Sequence, residues 1–156
     1  MSSISDTPGV IAPPLVLFPI VFGVAMLLNW IHSLAIPLLP IGTQWPGIAL
    51  MDISAIIALW ATFSMRRART SINPLLPTTF LVTSGPYRFS RNPLSVSLVV
   101  LYLGVSLIVD TLWPLLLLPP LLIVYHFGVI QREERYLERK FGDTYRNYRS
   151  AVRRWF

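Results

Sequence analysis

The sequence predicts an all-α fold: a polytopic transmembrane helix bundle of about four spans, the last two paired as a hairpin, followed by cytoplasmic C-terminal helices. Three observations predict it. Hydrophobic residues make up 54% of the 156 residues and charged residues only 13%, about half the charged share of a soluble domain. The apolar residues come in long runs near the ~20 residues that cross a bilayer core. All 13 Lys/Arg lie in two blocks, Arg66 to Arg91 and Arg132 to Arg154, as in the cytoplasmic segments of membrane proteins.

The same composition excludes several functions. There are no cysteines, hence no disulfide, thiolate nucleophile or cysteine metal site. His32 and His126 are too few and too far apart for a metal site, so none is expected. The net charge of +6 does not indicate nucleic acid, because the basic blocks flank apolar spans instead of forming a soluble face with stacking aromatics. The length fits one integral membrane domain, residues 1–156.

Taken in order, the first span runs from Pro14 to Ile31. No Lys or Arg precedes it, so a cleaved signal peptide is not expected. The second runs from Pro46 to Met65 and contains Asp52, whose carboxylate is expected to be held by structural hydrogen bonds. The third, Leu94 to Val109, is short for a span and is expected to cross where the bilayer is locally thin or the span tilted. The fourth runs from Leu112 to Ile130, separated from the third only by Asp110-Thr111. Pro114, Pro119 and Pro120 are expected to bend or interrupt it, leaving a broken or re-entrant pair as the alternative. Trp30, Trp45 and Trp113 fall near span ends, as interfacial anchors do. Positive-inside logic places both termini and both basic blocks on the cytoplasmic side.

Between spans two and three, Phe80-Leu81-Val82 is an apolar patch expected to fold back over the membrane face. After span four, Arg132–Phe141 reads as a helix stopped by Gly142. Asp143 or Thr144 is expected to cap a further helix, with Tyr145, Tyr148, Val152 and Trp155 lying on anionic lipid.

Two clusters carry chemistry. Gly85-Pro86-Tyr87-Arg88-Phe89-Ser90-Arg91-Asn92-Pro93 is a tight turn leading into span three, with Asn92 as N-cap and Pro93 as first helical residue. Two guanidiniums, an amide and a helix N-terminus aim at one spot and suit an anion. Glu133 and Glu134 follow span four. Adjacent helical side chains diverge by about 100°, and Glu133, nearer the membrane, is expected to face the pocket. Arg132 is expected to pair with Glu133 or reach a lipid phosphate. Arg91, His126 and Arg132 are candidate acceptor contacts, with His126 read first as a neutral structural histidine.

Leu81-Val82-Thr83-Ser84-Gly85-Pro86-Tyr87-Arg88-Phe89-Ser90-Arg91-Asn92-Pro93, then Arg132-Glu133-Glu134-Arg135-Tyr136-Leu137, then Phe141-Gly142-Asp143-Thr144-Tyr145 resemble the isoprenylcysteine carboxyl methyltransferase family, whose relatives include phospholipid N-methyltransferases. The resemblance covers roughly Thr70 to Phe156. It implies S-adenosylmethionine as methyl donor at the cytoplasmic membrane face, held by elements in residues 70–95 and 129–156. The implied cofactor contacts are Thr79, Phe80, Leu81, Val82, Tyr87, Asn92, Pro93, Leu94, Ser95 and Glu133. Three positions depart from the family pattern. Ser95 stands for a tyrosine, Ser97 for a small glycine, and Val129 for the arginine that holds a prenylcysteine carboxylate. The implied reaction is in-line methyl transfer to a lipophilic or small-molecule acceptor, with membrane lipid as surroundings. A non-catalytic membrane assembly or lipid-binding module keeping the same fold is the alternative, and a small transporter ranks last for want of polar groups along the spans.

Overall fold

The computed structural model describes residues 7–36, 44–73 and 76–155. Six α-helices are present: α1 Pro14–Ile31, α2 Gln44–Arg67, α3 Pro93–Ile108, α4 Trp113–Tyr125, α5 Gln131–Phe141 and α6 Asp143–Ala151. One turn of 3₁₀ helix, Gly85–Arg88, precedes α3, and a π-helical segment, His126–Ile130, joins α4 to α5. Three helical stretches are long and apolar enough to cross a bilayer, Pro14–Ile31, Gln44–Arg67 and Trp113–Phe141, and the shorter apolar helix is Pro93–Val109. The protein is a helical membrane bundle. The 16 residues of α3 extend only about 24 Å at the helical rise, short of a full hydrocarbon core.

Burial follows the rules of a bilayer rather than of water. Leu15, Ile20, Val24 and Leu27 of α1 and Ile53, Ile56, Leu59 and Phe63 of α2 are exposed. The buried residues of α2 are Gly47, Ser54 and Ala61. Their seven-residue spacing lets the α2 and α3 backbones approach closely, as helix pairs in lipid do. A Cβ on Gly47 would stand 2.7 Å from the Gly104 carbonyl, and one on Gly104 would stand 2.8 Å from that of Gly47. Ser54 Oγ donates to the Ser97 carbonyl at 2.7 Å in the same seam. Ser97 therefore belongs to helix packing.

Across α1, α3 and α4 the core is aromatic. Phe18 meets Tyr102 and Tyr125 edge-on, with ring centroids 5.9 and 5.3 Å apart. Leu121, Val129 and Ile130 complete this cluster. The prolines do not interrupt the fourth span. Pro114 lies in the first turn of α4, where no backbone donor is required, and Pro119 and Pro120 are accommodated inside the helix. Helical φ suits proline, and the buried Leu121 and Tyr125 on the following turns hold the segment in place. The wider π turn turns its Gly128 carbonyl to accept from the Ile11 amide at 3.2 Å.

The α3–α4 hairpin closes at Asp110, in the left-handed region at φ 52°. Thr111 Oγ1 donates to Asn29 Oδ1 at 2.8 Å, and Trp113 Nε1 donates to the His32 carbonyl at 2.7 Å. This end of the hairpin is thus tied to the exit of α1. Asp52 departs from expectation: it is exposed on α2 and meets no hydrogen-bond partner among the described residues. The inner seam of α2 is filled by Gly47, Ser54 and Ala61, and Asp52 is not among its buried residues.

Candidate functional site

At the opposite end of the bundle, the approach to α3 is set by Gly85. It adopts φ 64°, and a Cβ there would stand 2.4 Å from Ser64 Oγ, so both conformation and contact require glycine. Pro86 is buried, and its carbonyl accepts from the Phe89 and Ser90 amides. The turn then delivers Arg91 and Asn92 to the start of α3. Upstream, the buried Thr70 hydroxyl accepts from the Thr79 amide at 3.2 Å. The Thr78 amide donates to Tyr136 Oη at 3.1 Å, fastening this loop to α5.

These elements enclose a cleft of about 910 Å³, counting its open mouth. Phe80, Leu81 and Val82 form one wall, so the apolar patch lines a pocket. Tyr87, Arg91, Asn92, Pro93, Leu94 and Ser95 form a second wall, and Glu133 and Glu134 a third. Ser95 Oγ and Tyr125 Oη, both of residues lining the cavity, lie 2.7 Å apart. The structure thus brings nine of the ten expected cofactor positions around one cavity. Thr79 is the exception, because its hydroxyl donates to the Arg69 carbonyl at 2.8 Å.

Two donors in the cavity wall meet no acceptor among the described residues: Arg91 Nε and Asn92 Nδ2, both buried. A buried donor without a partner is costly, and here both belong to pocket residues. Asn92 takes the expected N-cap position of α3, with Pro93 as first helical residue, but its side chain makes no capping bond. Glu133 pairs with no cation among the described residues. Its carboxyl is pushed up to about 7, first by desolvation and then by the neighbouring Glu134. It stands in the charged α5, beyond the apolar span. Burial also raises the hydroxyls of Tyr87, Tyr145 and Tyr148 well above the phenol range, so they act at neutral pH as donors and not as bases.

The remaining expectations resolve differently. Glu134 also lines the cavity, so both carboxylates reach it, but Glu134 is held by Arg91 at 2.9 Å and Arg154 at 2.7 Å. Arg91 is consequently part of an ion-pair network. Arg88 is exposed and lies outside the cavity lining. Arg132 donates to the Gly9 carbonyl at 2.9 Å instead of pairing with Glu133. His126 opens the π segment, with Nε2 3.2 Å from Gln131 Nε2 and 3.3 Å from Arg154 Nη1, and it does not line the cavity. Val129 is 1% exposed within the core.

The C-terminal helix does not present its aromatic face to lipid. Tyr145 is buried, and Tyr148 Oη donates to the Tyr87 carbonyl at 2.7 Å. The turn supplies a fixed acceptor that a lipid surface does not, and α6 packs there. Neither Asp143 nor Thr144 caps α6; Gly142, at φ 54°, takes the cap position and Asp143 pairs with Arg146 instead. Sequence reading missed Arg154, whose only signal was its place in a basic tail.

The site is thus a polar pocket in a helical membrane bundle, placed where charged segments meet apolar spans. The phospholipid methyltransferase family profile matches residues 43–144, which include most of the pocket, and the chain belongs to that family. The family is one described as phospholipid methyltransferases. A protein of Haemophilus influenzae described as an uncharacterized protein is 57% identical over 35 residues. That match spans 22% of this chain and 54% of the relative, so the chain covers about half of that protein's length.

Proposed function

We propose that the chain transfers a methyl group from S-adenosylmethionine to a lipophilic or small-molecule acceptor at the cytoplasmic face of the membrane. The observation that carries this reading is a single cavity combining an apolar wall, two unpartnered buried donors and an unpaired carboxylate. A zwitterionic nucleoside needs that combination. Asn92 Nδ2 and Arg91 Nε suit its carboxylate, Glu133 suits a ribose hydroxyl or the amino group, and Phe80, Leu81 and Val82 suit the flat base.

When bound, the donor supplies an electrophilic methyl on a sulfonium. The chain's own contribution is to orient the two reactants and keep water out. The Ser95–Tyr125 hydroxyl pair and Pro14 line the cavity and are where a greasy acceptor meets the pocket. With Val129 in the core, nothing at that position recognises an acceptor carboxylate.

Calorimetry with S-adenosylmethionine in detergent tests the donor site. The wild type is expected to bind saturably, and Glu133→Ala and Asn92→Ala each to lose about tenfold or more in affinity, the scale of one charge-assisted hydrogen bond. Absence of binding by the wild type would overturn the reading in favour of a non-catalytic module. Mass spectrometry of membrane extracts incubated with labelled donor, wild type against Glu133→Ala, then identifies the acceptor.

A further inference from the structure

Beyond α6 the chain turns back onto the turn that precedes α3. Val152 is extended, the Arg91 amide donates to the Arg153 carbonyl at 3.0 Å, and Ser90 Oγ donates to the Arg154 carbonyl at 3.0 Å. Trp155 packs against the aromatic core. These residues form a strap across the turn that carries the two unpartnered donors. From the strap, Arg154 makes two parallel bonds to Glu134, Nε to Oε1 at 2.9 Å and Nη2 to Oε2 at 2.7 Å. Arg91 holds Oε1 from the other side at 2.9 Å. Arg154 itself does not line the cavity.

We propose that Arg154 is a positioning residue of the donor pocket: its bidentate hold on Glu134 fixes the Arg91 side chain and the face of α5 that presents Glu133. The proposal rests on the methyl-donor reading for its functional meaning, but the clamp itself is independent of it. A bidentate guanidinium–carboxylate pair sets orientation as well as charge, and this one joins three elements: turn, α5 and strap. It also balances the pocket. Two carboxylates, Glu133 and Glu134, stand with two guanidiniums, Arg91 and Arg154. The other titratable groups facing Glu133 are the phenols of Tyr87 from the turn, Tyr125 from α4 and Tyr145 from α6; His126 lies beyond Arg154. Removing Arg154 leaves Arg91 alone against Glu134, so that ionised Glu133 would bring the set to a net negative charge, which drives Glu133 toward its protonated form.

The test is a carboxyl-carbon NMR titration of Glu133 in ligand-free protein in nanodiscs, paired with donor calorimetry at pH 8. Arg154→Gln is expected to move the Glu133 midpoint upward by roughly half a unit or more and to weaken donor binding about tenfold. Arg154→Lys keeps the charge, so it should leave the midpoint near that of wild type while weakening binding through the lost second bond. If Arg154→Gln fails to fold, Glu134→Gln/Arg154→Gln removes both partners of the ion pair, leaves Arg91 as the charge nearest Glu133, and is expected to lower the midpoint below that of wild type. An unchanged midpoint in folded Arg154→Gln, or in the double variant, overturns the proposal, as does wild-type donor affinity in Arg154→Gln. A shifted midpoint with no donor binding even in wild type leaves the clamp standing and overturns the methyl-donor reading instead.

Discussion

Glu133 and Glu134 are neighbours in sequence with opposite surroundings. Glu134 has two guanidiniums within 2.9 Å, whereas Glu133 has none among the described residues and is raised to about 7. A carboxyl raised above its unfolded value of 4.5 contributes most to stability below that value, and the contribution is lost as pH rises through the folded value. Glu133 ionisation therefore costs the ligand-free protein stability at pH 8 and costs nothing at pH 4. Glu133→Gln mimics the protonated form. It is expected to stabilise the ligand-free protein by about 1–3 kcal/mol at pH 8, with the gain shrinking toward zero as pH falls through 7 to below 5, while losing donor binding. Thermal unfolding in detergent at the two pH values checks this; an equal gain at both would mean that ionisation is not the cause. Wild-type donor affinity is expected to fall as pH drops through about 7, because the ribose or amino contact needs the carboxylate.

Among the elements, the α2–α3 seam limits how the site is held, because α2 leads into the loop and α3 begins at the pocket. Gly47 and Gly104 leave no room for a side chain at the far end of that seam. Gly104→Val is expected to destabilise the bundle by about 1–3 kcal/mol or more, the usual cost of overpacking, read as a lower melting temperature. At Gly142 a Cβ meets nothing within 4 Å, but φ 54° and ψ −126° strain any side chain, so there glycine is required by conformation and not by contact. The helices themselves were legible from hydropathy: α1 matches Pro14–Ile31, and α3 begins at Pro93. What hydropathy does not mark is which face of a span is buried, because lipid accepts the large side chains and packing selects the small ones. The same physics hid the role of α6. Its tyrosines look like a lipid-facing stripe until the Tyr87 carbonyl is in place to receive Tyr148. The pocket walls could be read from local motifs, but the strap could not, since it depends on a 63-residue separation between Arg91 and Arg154.

At the scale of the whole molecule, the helix ends sort into two groups. The Ile11 amide meets Gly128, Pro14 and Met65 line the same cavity as Ser95 and Glu133, and Arg153 meets Arg91. At the other end, Leu34 meets Leu112, Ile36 meets Asp110, and Gly47 meets Gly104. Four helices alternate in direction between these ends. All 13 Lys/Arg belong to segments at the pocket end, and transfer of so many cations across a bilayer is strongly disfavoured. The expected topology therefore places the pocket and the helices after it on the cytoplasmic side, and the Ser33 and Asp110 end on the other. Because the chain has no cysteine, single substitutions report this cleanly. Ser33→Cys and Arg139→Cys are both at exposed positions. In intact cells a membrane-impermeant maleimide is expected to label Ser33→Cys and to reach Arg139→Cys only after permeabilisation. Labelling of both from one side would mean that α1 does not separate the two ends across the bilayer. Labelling with the sides exchanged would keep the bundle and move the pocket to the outer face, away from a cytosolic methyl donor.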